Sequence, residues 1–190
     1  MTKELEVKVL GIDKQDIEKR LENIGAKLLS KEYQINTLYD SDDKIVEKLG
    51  DGYLRIRETK NLITGEVKVL FTLKKNMSSE TARENIEIET MVTDKNALNS
   101  ILQHLNLKVI HEGTKERISY VYDDIRFDID TWDKSTYPYP YLEIEVAEKE
   151  DIKRAVELLG LDEQSVTTKS LRELRAEIGL GGGNNVKKIF

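Results

Sequence analysis

The chain has 190 residues, a length that fits one compact domain with a substantial core. Its 30 basic and 36 acidic residues give a formal net charge of -6, which argues against non-specific nucleic-acid binding because such binding needs a basic surface. It contains no cysteine, which excludes disulfides and thiolate metal sites. The first residues lack a signal-peptide pattern, and no apolar run reaches the roughly 20 residues of a membrane span. We therefore expect a cytoplasmic protein with no membrane partner.

The first half of the chain predicts one helix and five strands. Residues 4–9 alternate apolar and charged side chains, as expected of a half-buried strand. A helix capped by Asp13 follows and runs to about Ile24. Residues 33–39 form a strand with less regular patterning, and strict alternation returns at 54–57, 67–75 and 86–89.

The second half predicts three strands and the remaining helices. A helix follows Asp94, and strands cover residues 115–122, 125–130 and 142–146. A third helix spans roughly 151–159, and Ser170 with Glu173 forms a capping box for a short fourth one. The result is an α+β domain over residues 1–180 that is dominated by antiparallel sheet. Residues 181–190 predict a flexible Gly/Asn-rich link with a short apolar end.

One face of the predicted strands is densely charged, although Glu, Asp and Lys have low β-propensity. Two carboxylates one pleat apart, roughly 6 to 7 Å, repel each other unless a cation lies between them. Clusters of oxygen ligands suit Mg²⁺ or Mn²⁺, and interleaved Arg and Lys residues suit phosphate oxygens. An open sheet with a solvated, charged face is the alternative. Closure of the sheet would turn that face into a lumen, where each charge needs a partner, a metal or a ligand.

Two other groups of side chains have simpler explanations. His104 and His111 lack the spacing of a metal-binding pair, so we interpret both as structural. Trp132, Tyr137, Tyr139 and Tyr141 surround two prolines in a loop. We favour packing within that loop over stacking on a nucleotide base.

Several motifs resemble a known family. Glu4-Leu5-Glu6-Val7-Lys8 is similar to the Glu-x-Glu-x-Lys signature that opens the CYTH superfamily, also called triphosphate tunnel metalloenzymes. Further landmarks of that superfamily follow in order: Tyr53-Leu54-Arg55-Ile56-Arg57, Phe71-Thr72-Leu73-Lys74, Glu87-Ile88-Glu89, Lys115-Glu116-Arg117, Asp128-Ile129-Asp130, Leu142-Glu143-Ile144-Glu145 and Thr168-Lys169-Ser170. The resemblance extends to about Gly179, nearly the whole chain.

The resemblance implies an eight-stranded antiparallel closed β-barrel, a triphosphate tunnel, with helices packed outside. It implies that the catalytic residues are Glu4, Glu6, Lys8 and Glu145, and that the metal ligands are Glu4, Glu6, Asp128, Asp130, Glu143 and Glu145. It assigns triphosphate binding to Lys8, Arg55, Arg57, Lys74, Lys115, Arg117 and Lys169. Glu87 and Glu89 would orient these residues or bind a second metal.

The resemblance implies a Mg²⁺- or Mn²⁺-dependent enzyme that acts on tripolyphosphate, ATP or thiamine triphosphate. We expect a triphosphatase, because the connection 131–140 is longer than the short turn of the adenylyl cyclases in this superfamily. A class IV adenylyl cyclase is the first alternative, and a non-catalytic module that binds polyphosphate or nucleotide is the second. The resemblance also leaves open whether the protein forms a homodimer.

Overall fold

The computed structural model describes residues 2–49, 52–76 and 83–180, so the predicted link at 181–190 lies outside the described residues. The strands are β1 (Thr2–Val9), β2 (Lys27–Asp40), β3 (Tyr53–Asn61), β4 (Val67–Asn76), β5 (Arg83–Met91), β6 (Lys108–Tyr122), β7 (Ile125–Trp132), β8 (Tyr141–Val146) and β9 (Val166–Thr167). The helices are α1 (Lys14–Asn23), α2 (Lys95–His104), α3 (Glu150–Leu158) and α4 (Leu171–Glu177). The predicted α+β class with an antiparallel sheet is confirmed.

The strands form one antiparallel sheet in the order β5-β4-β3-β2-β6-β7-β8-β1-β9. β5 also pairs with β1, from Thr2 opposite Glu87 to Glu6 opposite Arg83. Each strand from β1 to β8 therefore pairs with a neighbour on both sides. The sheet has nine strands and not the expected eight. The two-residue β9 pairs with Lys8 and Val9, beyond the part of β1 that pairs with β5.

Side-chain caps fix the starts of three helices where the sequence predicts them. Asp13 accepts from the Asp16 amide at the start of α1, and Asp94 accepts from the Ala97 amide at the start of α2. The capping box at the start of α4 is present, with Ser170 and Glu173 each bonding the other's backbone. The helix starts can therefore be read from local chemistry.

The apolar strand face packs against three of the helices. Val7, Phe127 and Ile144 lie in one core cluster with residues of α1 and α3, such as Leu21 and Val156. A second cluster joins β3 and α2 through Leu54, Ile56 and Leu102, and Phe71 of β4 packs against it. These contacts cover one face of the sheet and leave the charged residues on the other.

Helix α4 packs differently from the other three. Its Leu174 is 2% exposed and lies in a cluster with Tyr137 and Tyr141, and Trp132 packs against that cluster. Tyr141 is opposite Asp130 in the β7–β8 register and therefore belongs to the charged side of the sheet. The expectation that every helix packs outside is wrong for α4, because the aromatic residues of 132–141 provide an apolar surface on the charged side. In the described part of the chain, no helix combines the length and apolar character that a membrane crossing requires.

Candidate active site

The strand registers bring the predicted charged residues onto one surface. Lys8 lies opposite Glu143, and Glu143 lies opposite Asp128 on the next strand. On the far side of the circuit, Lys74 lies opposite Glu87. We call this surface the charged face, and it carries Glu6, Lys8, Arg55, Arg57, Lys74, Glu87, Glu89, Lys115, Arg117, Asp128, Asp130, Glu143 and Glu145.

Arg117 is the centre of the largest ion-pair network on this face. Its Nε and Nη2 donate to the two oxygens of Asp130 at 2.7 and 2.6 Å, and Nη1 lies 2.7 Å from Asp128. Nη2 also donates to Glu143 at 2.5 Å. Burial disfavours the guanidinium charge, but the three carboxylates outweigh burial and hold the pKa of Arg117 well above its usual value. The network therefore holds Arg117 charged and in one orientation.

Glu143 and Glu6 connect the buried Lys8 to the half-buried Lys74. The Nζ of Lys8 lies 3.1 Å from Glu143 and 3.9 Å from Glu6, and the Nζ of Lys74 lies 3.6 Å from Glu6 and 2.9 Å from Glu87. Burial alone would raise the pKa of Glu143, but Lys8 and Arg117 hold it well below its usual value. Burial lowers the pKa of Lys8, but the nearby Glu143 and Glu6 together raise it by more, so the pKa of Lys8 is above its usual value. Both groups of this pair are therefore charged at neutral pH.

Lys115 is a buried lysine whose pKa is well below its usual value. It is 3% exposed, and its Nζ donates to Asp130 at 2.8 Å and lies 5.1 Å from the centre of the Trp132 ring. Burial and the neighbouring Arg117 lower the pKa of Lys115 to about 7, although Asp130 opposes them. Lys115 is therefore about half protonated at neutral pH.

Arg55 and Arg57 have no carboxylate partner among the described residues. Arg55 is 6% exposed, its guanidinium lies 4.9 Å from the centre of the Tyr53 ring, and its buried Nε has no hydrogen-bond partner there. Arg57 donates from Nε to Asn36 Oδ1 at 3.1 Å. Burial and the nearby Arg55 and Arg117 lower the pKa of Arg57 to about 10. Glu87 is near enough to raise the pKa of Arg57, but no described carboxylate lies within ion-pair distance of either guanidinium.

Some of the carboxylates predicted to bind metal form ion pairs with arginine side chains. Asp128, Asp130 and Glu143 bind Arg117, and Asp128 also accepts from Arg126 at 2.9 Å. Glu6 and Glu145 lie opposite each other in the β1–β8 register. Beside them Asn85 donates to Glu6 at 3.1 Å, while its own buried Oδ1 has no hydrogen-bond partner in the described part of the chain. Among the described side chains no group of three carboxylates or histidines is close enough to share a metal.

Two predicted site residues are not placed in this network. The backbone of Glu4 pairs with Asn85, but the Glu4 side chain lies outside the described part. Lys169 is half-exposed and forms an ion pair with Glu177 of α4, so the structure does not bring it to the Arg117 network.

Sequence reasoning missed several polar partners on the charged face. Arg126 and Ser119 bind each other and line the same side as Asp128, and Thr72 donates to Glu89 at 2.9 Å. Arg126 is two residues before Asp128, so its phase in β7 could have identified it. The neutral side chains carry no comparable signal, because Thr and Ser are common in ordinary strands.

The loop between β7 and β8 and helix α4 meet at one end of the charged face. His111 lies 3.1 Å from Thr136 Oγ1 and 3.0 Å from a guanidinium nitrogen of Arg175. Asp133 accepts from the Thr114 amide at 2.8 Å and from the Thr136 hydroxyl at 2.8 Å. The contacts of His111 with Thr136 and Arg175 support a structural role for it, as the sequence analysis expects.

The aromatic residues of this loop are mostly packed against each other. Tyr137 is 5% exposed and Tyr141 is 1% exposed, and their rings meet edge to face at 6.0 Å. Trp132 donates to the Tyr141 hydroxyl at 2.8 Å. Only Tyr139 among the four is largely exposed, at 56%. The structure therefore supports loop packing for the buried members of the group.

Comparison with known proteins identifies the family. The CYTH domain matches residues 2–171. A protein of Methanocaldococcus jannaschii named as a candidate adenylate cyclase is 25% identical over 181 residues, covering 90% of this chain and 98% of its own length. A solved structure from Pyrococcus horikoshii is 27% identical with a TM-score of 0.72, covering 90% of this chain and 98% of that one.

A third relative shares the fold at lower sequence identity. It is a candidate adenylyl cyclase from Hippeastrum, described as having a dominant triphosphatase activity. It is 13% identical with a TM-score of 0.66 and covers 94% of this chain and 96% of that one. The match over residues 2–171, together with the motifs now found on one face of the sheet, shows that the chain belongs to the CYTH domain family.

Proposed function

We propose that the protein is a divalent-metal-dependent hydrolase that binds a triphosphate along the charged face. The observation that carries the proposal is the pair Arg55 and Arg57, two guanidiniums on one strand face without a carboxylate partner among the described residues. Their mutual repulsion disfavours the empty site, and a polyanion between them relieves it. An Arg fork matches the geometry of phosphate oxygens.

The strand pairing supports an enclosed site. Since β1 pairs with both β5 and β8, strands β1 to β8 form a circuit of pairings. We infer that this circuit is the wall of a closed tunnel with the charged face inside. In such a lumen the substrate is separated from bulk water, so charge–charge interactions are stronger than at an open surface.

The carboxylates near β1 are the ligands that we propose for a Mg²⁺ or Mn²⁺ ion. Glu6 and Glu145 are opposite each other, and Asn85, which donates to Glu6, has a buried Oδ1 that no described residue binds. All are oxygen donors, which hard divalent cations prefer. We propose that Glu4, Glu6 and Glu145 hold the ion, which would supply charge stabilisation and a bound water as nucleophile.

The protein groups provide positioning and charge neutralisation in this proposal. Arg55, Arg57 and Lys74 line one side of the substrate, and Lys8, Lys115 and Arg117 line the other. Arg117 is held in one orientation towards the substrate by its ion pairs with Asp128, Asp130 and Glu143. Such preorganised cations stabilise the charge that develops on the transferred phosphoryl group.

The aromatic packing favours a substrate recognised by its phosphates. Tyr137 and Tyr141 are buried against Leu174, so neither offers a free ring face for a nucleotide base. Inorganic tripolyphosphate needs no such face, and water then acts as the nucleophile. Hydrolysis is therefore the first candidate reaction.

Adenylyl cyclase activity is the second candidate. The relative from Methanocaldococcus jannaschii, similar over 90% of this chain, carries that name. In that reaction the ribose 3′-hydroxyl attacks the α-phosphorus of ATP and pyrophosphate leaves, with the same cations binding the phosphates.

Incubation of the pure protein with Mg²⁺ or Mn²⁺ and tripolyphosphate, ATP or thiamine triphosphate separates the candidates. Orthophosphate without cyclic AMP is the result expected for the hydrolase, whereas cyclic AMP with pyrophosphate identifies the cyclase. Tight binding without turnover would identify a non-catalytic module. If none of the three compounds binds, the triphosphate site itself is wrong.

A further inference from the structure

Two buried amides lie on β2, the strand beside β3 and its Arg55 and Arg57. Gln34 is 1% exposed and Asn36 is 2% exposed, and Asn36 lies directly opposite Arg57 in the β2–β3 register. Neither residue belongs to the charged motifs of the chain, and the proposed function assigns no role to either.

A charged partner fixes the orientation of each amide. Asn36 Oδ1 accepts from Arg57 Nε at 3.1 Å, and Gln34 Nε2 donates to Glu32 at 2.7 Å. Arg57 can only donate and the Glu32 carboxylate accepts, so the oxygen and nitrogen of both amides are assigned without ambiguity.

The remaining amide atoms have no partner among the described residues. They are Asn36 Nδ2, a donor, and Gln34 Oε1, an acceptor, and both are buried. A buried polar atom without a hydrogen bond costs free energy, so such an atom at a binding surface indicates a ligand that supplies the partner. The donor suits a phosphate oxygen, whereas the Gln34 acceptor does not.

We propose that Asn36 is a substrate-binding residue whose Nδ2 donates to a phosphate oxygen held by Arg57. Because Asn36 occupies the Arg57 Nε, the two Nη groups are left for the same phosphate. The amide adds a donor beside Arg55 and Arg57 without adding a third positive charge. This inference rests on the proposed triphosphate function and extends it to a neutral residue on β2.

Calorimetric titration of tripolyphosphate without metal tests the inference on the parent, Asn36→Leu and Asn36→Asp. Loss of one hydrogen bond to a charged group is expected to weaken binding about tenfold to a hundredfold in Asn36→Leu. Asn36→Asp keeps an acceptor for Arg57 but places a negative charge at the donor position, so it is expected to bind at least as weakly. Asn99→Asp is the matched control, since Asn99 Oδ1 also accepts a hydrogen bond, from Tyr39, but lies on α2.

Salt dependence separates a direct contact from an effect through Arg57. The deficit of Arg57→Ala should shrink as salt rises, because a charge is lost, whereas the deficit of Asn36→Leu should persist. Unchanged affinity in both Asn36 variants, or a deficit that disappears with salt, would overturn the proposal. If the parent binds and Arg57→Ala is impaired while the Asn36 variants are not, only this inference fails. If the parent does not bind tripolyphosphate, the proposed function fails with it.

Discussion

Substitution of Arg57 tests whether the charged face binds phosphate. Arg57 is half-buried beside Arg55, and its hydrogen-bond partner among the described residues is Asn36. We expect Arg57→Ala to weaken tripolyphosphate binding by roughly 1.5 to 3 kcal/mol, because a charged hydrogen-bond donor is lost. Titration calorimetry measures this change. Lys60→Ala is the control, since Lys60 is exposed on the same strand, and equal affinity for Arg57→Ala and parent would contradict a phosphate contact.

Substitution of Glu6 separates an effect on metal binding from an effect on substrate binding. It lies opposite Glu145 and beside Asn85. We expect Glu6→Ala to lower metal-dependent turnover by roughly 100-fold or more, since the ion loses a carboxylate, while tripolyphosphate still binds without metal. Steady-state rates at increasing Mg²⁺ check this. The exposed Glu116→Ala serves as control, and a parental rate for Glu6→Ala at saturating metal would rule out the assignment.

Lys115 couples substrate binding to pH. Its pKa of about 7 in the free protein rises when a polyanion binds nearby, because negative charge favours the protonated form. Above pH 7, binding therefore takes up part of a proton through Lys115, and affinity falls as pH increases from 7 towards the pKa of the complex.

Calorimetry in buffers of different ionisation enthalpy measures that proton uptake. Tripolyphosphate also exchanges protons, so the informative quantity is the difference between the parent and Lys115→Met. An uptake that is the same in both proteins near pH 8 would show that Lys115 does not respond to the ligand.

At the scale of elements, β6 and the loop after β7 approach each other closely at Gly113. A Cβ at Gly113 would lie 2.3 Å from Thr136 Oγ1, and Thr136 is fully buried. We expect Gly113→Ala to lower the free energy of unfolding by about 1 to 3 kcal/mol through overpacking. Chemical denaturation measures the loss.

Removal of the clashing oxygen provides the control for that prediction. In the double variant Gly113→Ala with Thr136→Ala, the alanine methyl no longer meets Thr136 Oγ1. The two changes should therefore be less destabilising together than the sum of the single variants. Additive losses would show that the close approach is not the cause.

The elements themselves could largely be predicted from local patterns, while their contacts could not. Asp13, Asp94 and Ser170 start helices because each side chain caps nearby amides. Strand phase likewise places Lys8 and Glu143 on the charged face. Their pairing across β1 and β8 depends on a register between distant segments, and a local pattern contains no information about it.

The contacts of the site that the sequence does not reveal have the same physical origin. Lys169 follows a family motif, but it pairs with Glu177 on α4, a contact that depends on how that helix docks. Asn36 and Gln34 carry no charge, so their importance is visible only when burial and missing partners are known. The ninth strand is two residues long, too short for any alternating pattern.

At the scale of the whole molecule, the proposed tunnel concentrates charges that only a ligand fully neutralises. A ligand that binds only the folded state stabilises it, by about 2.7 kcal/mol at a hundredfold excess over Kd. We therefore expect tripolyphosphate to raise the melting temperature in a concentration-dependent way, and orthophosphate at equal ionic strength to have a smaller effect. Differential scanning fluorimetry checks this, and equal shifts for both anions would indicate a general salt effect.

The pairing of β1 with three other strands has a consequence for how the chain folds. β1 pairs with β5, β8 and β9, so its partners include residues about 140 positions later in the sequence. During synthesis the first strand emerges long before β8 exists, and the side of β1 that pairs with β8 remains an unpaired edge until then. Such distant pairing slows folding, because a large loop must close before the contacts form. We therefore expect completion of the strand circuit to be a late, post-synthetic step.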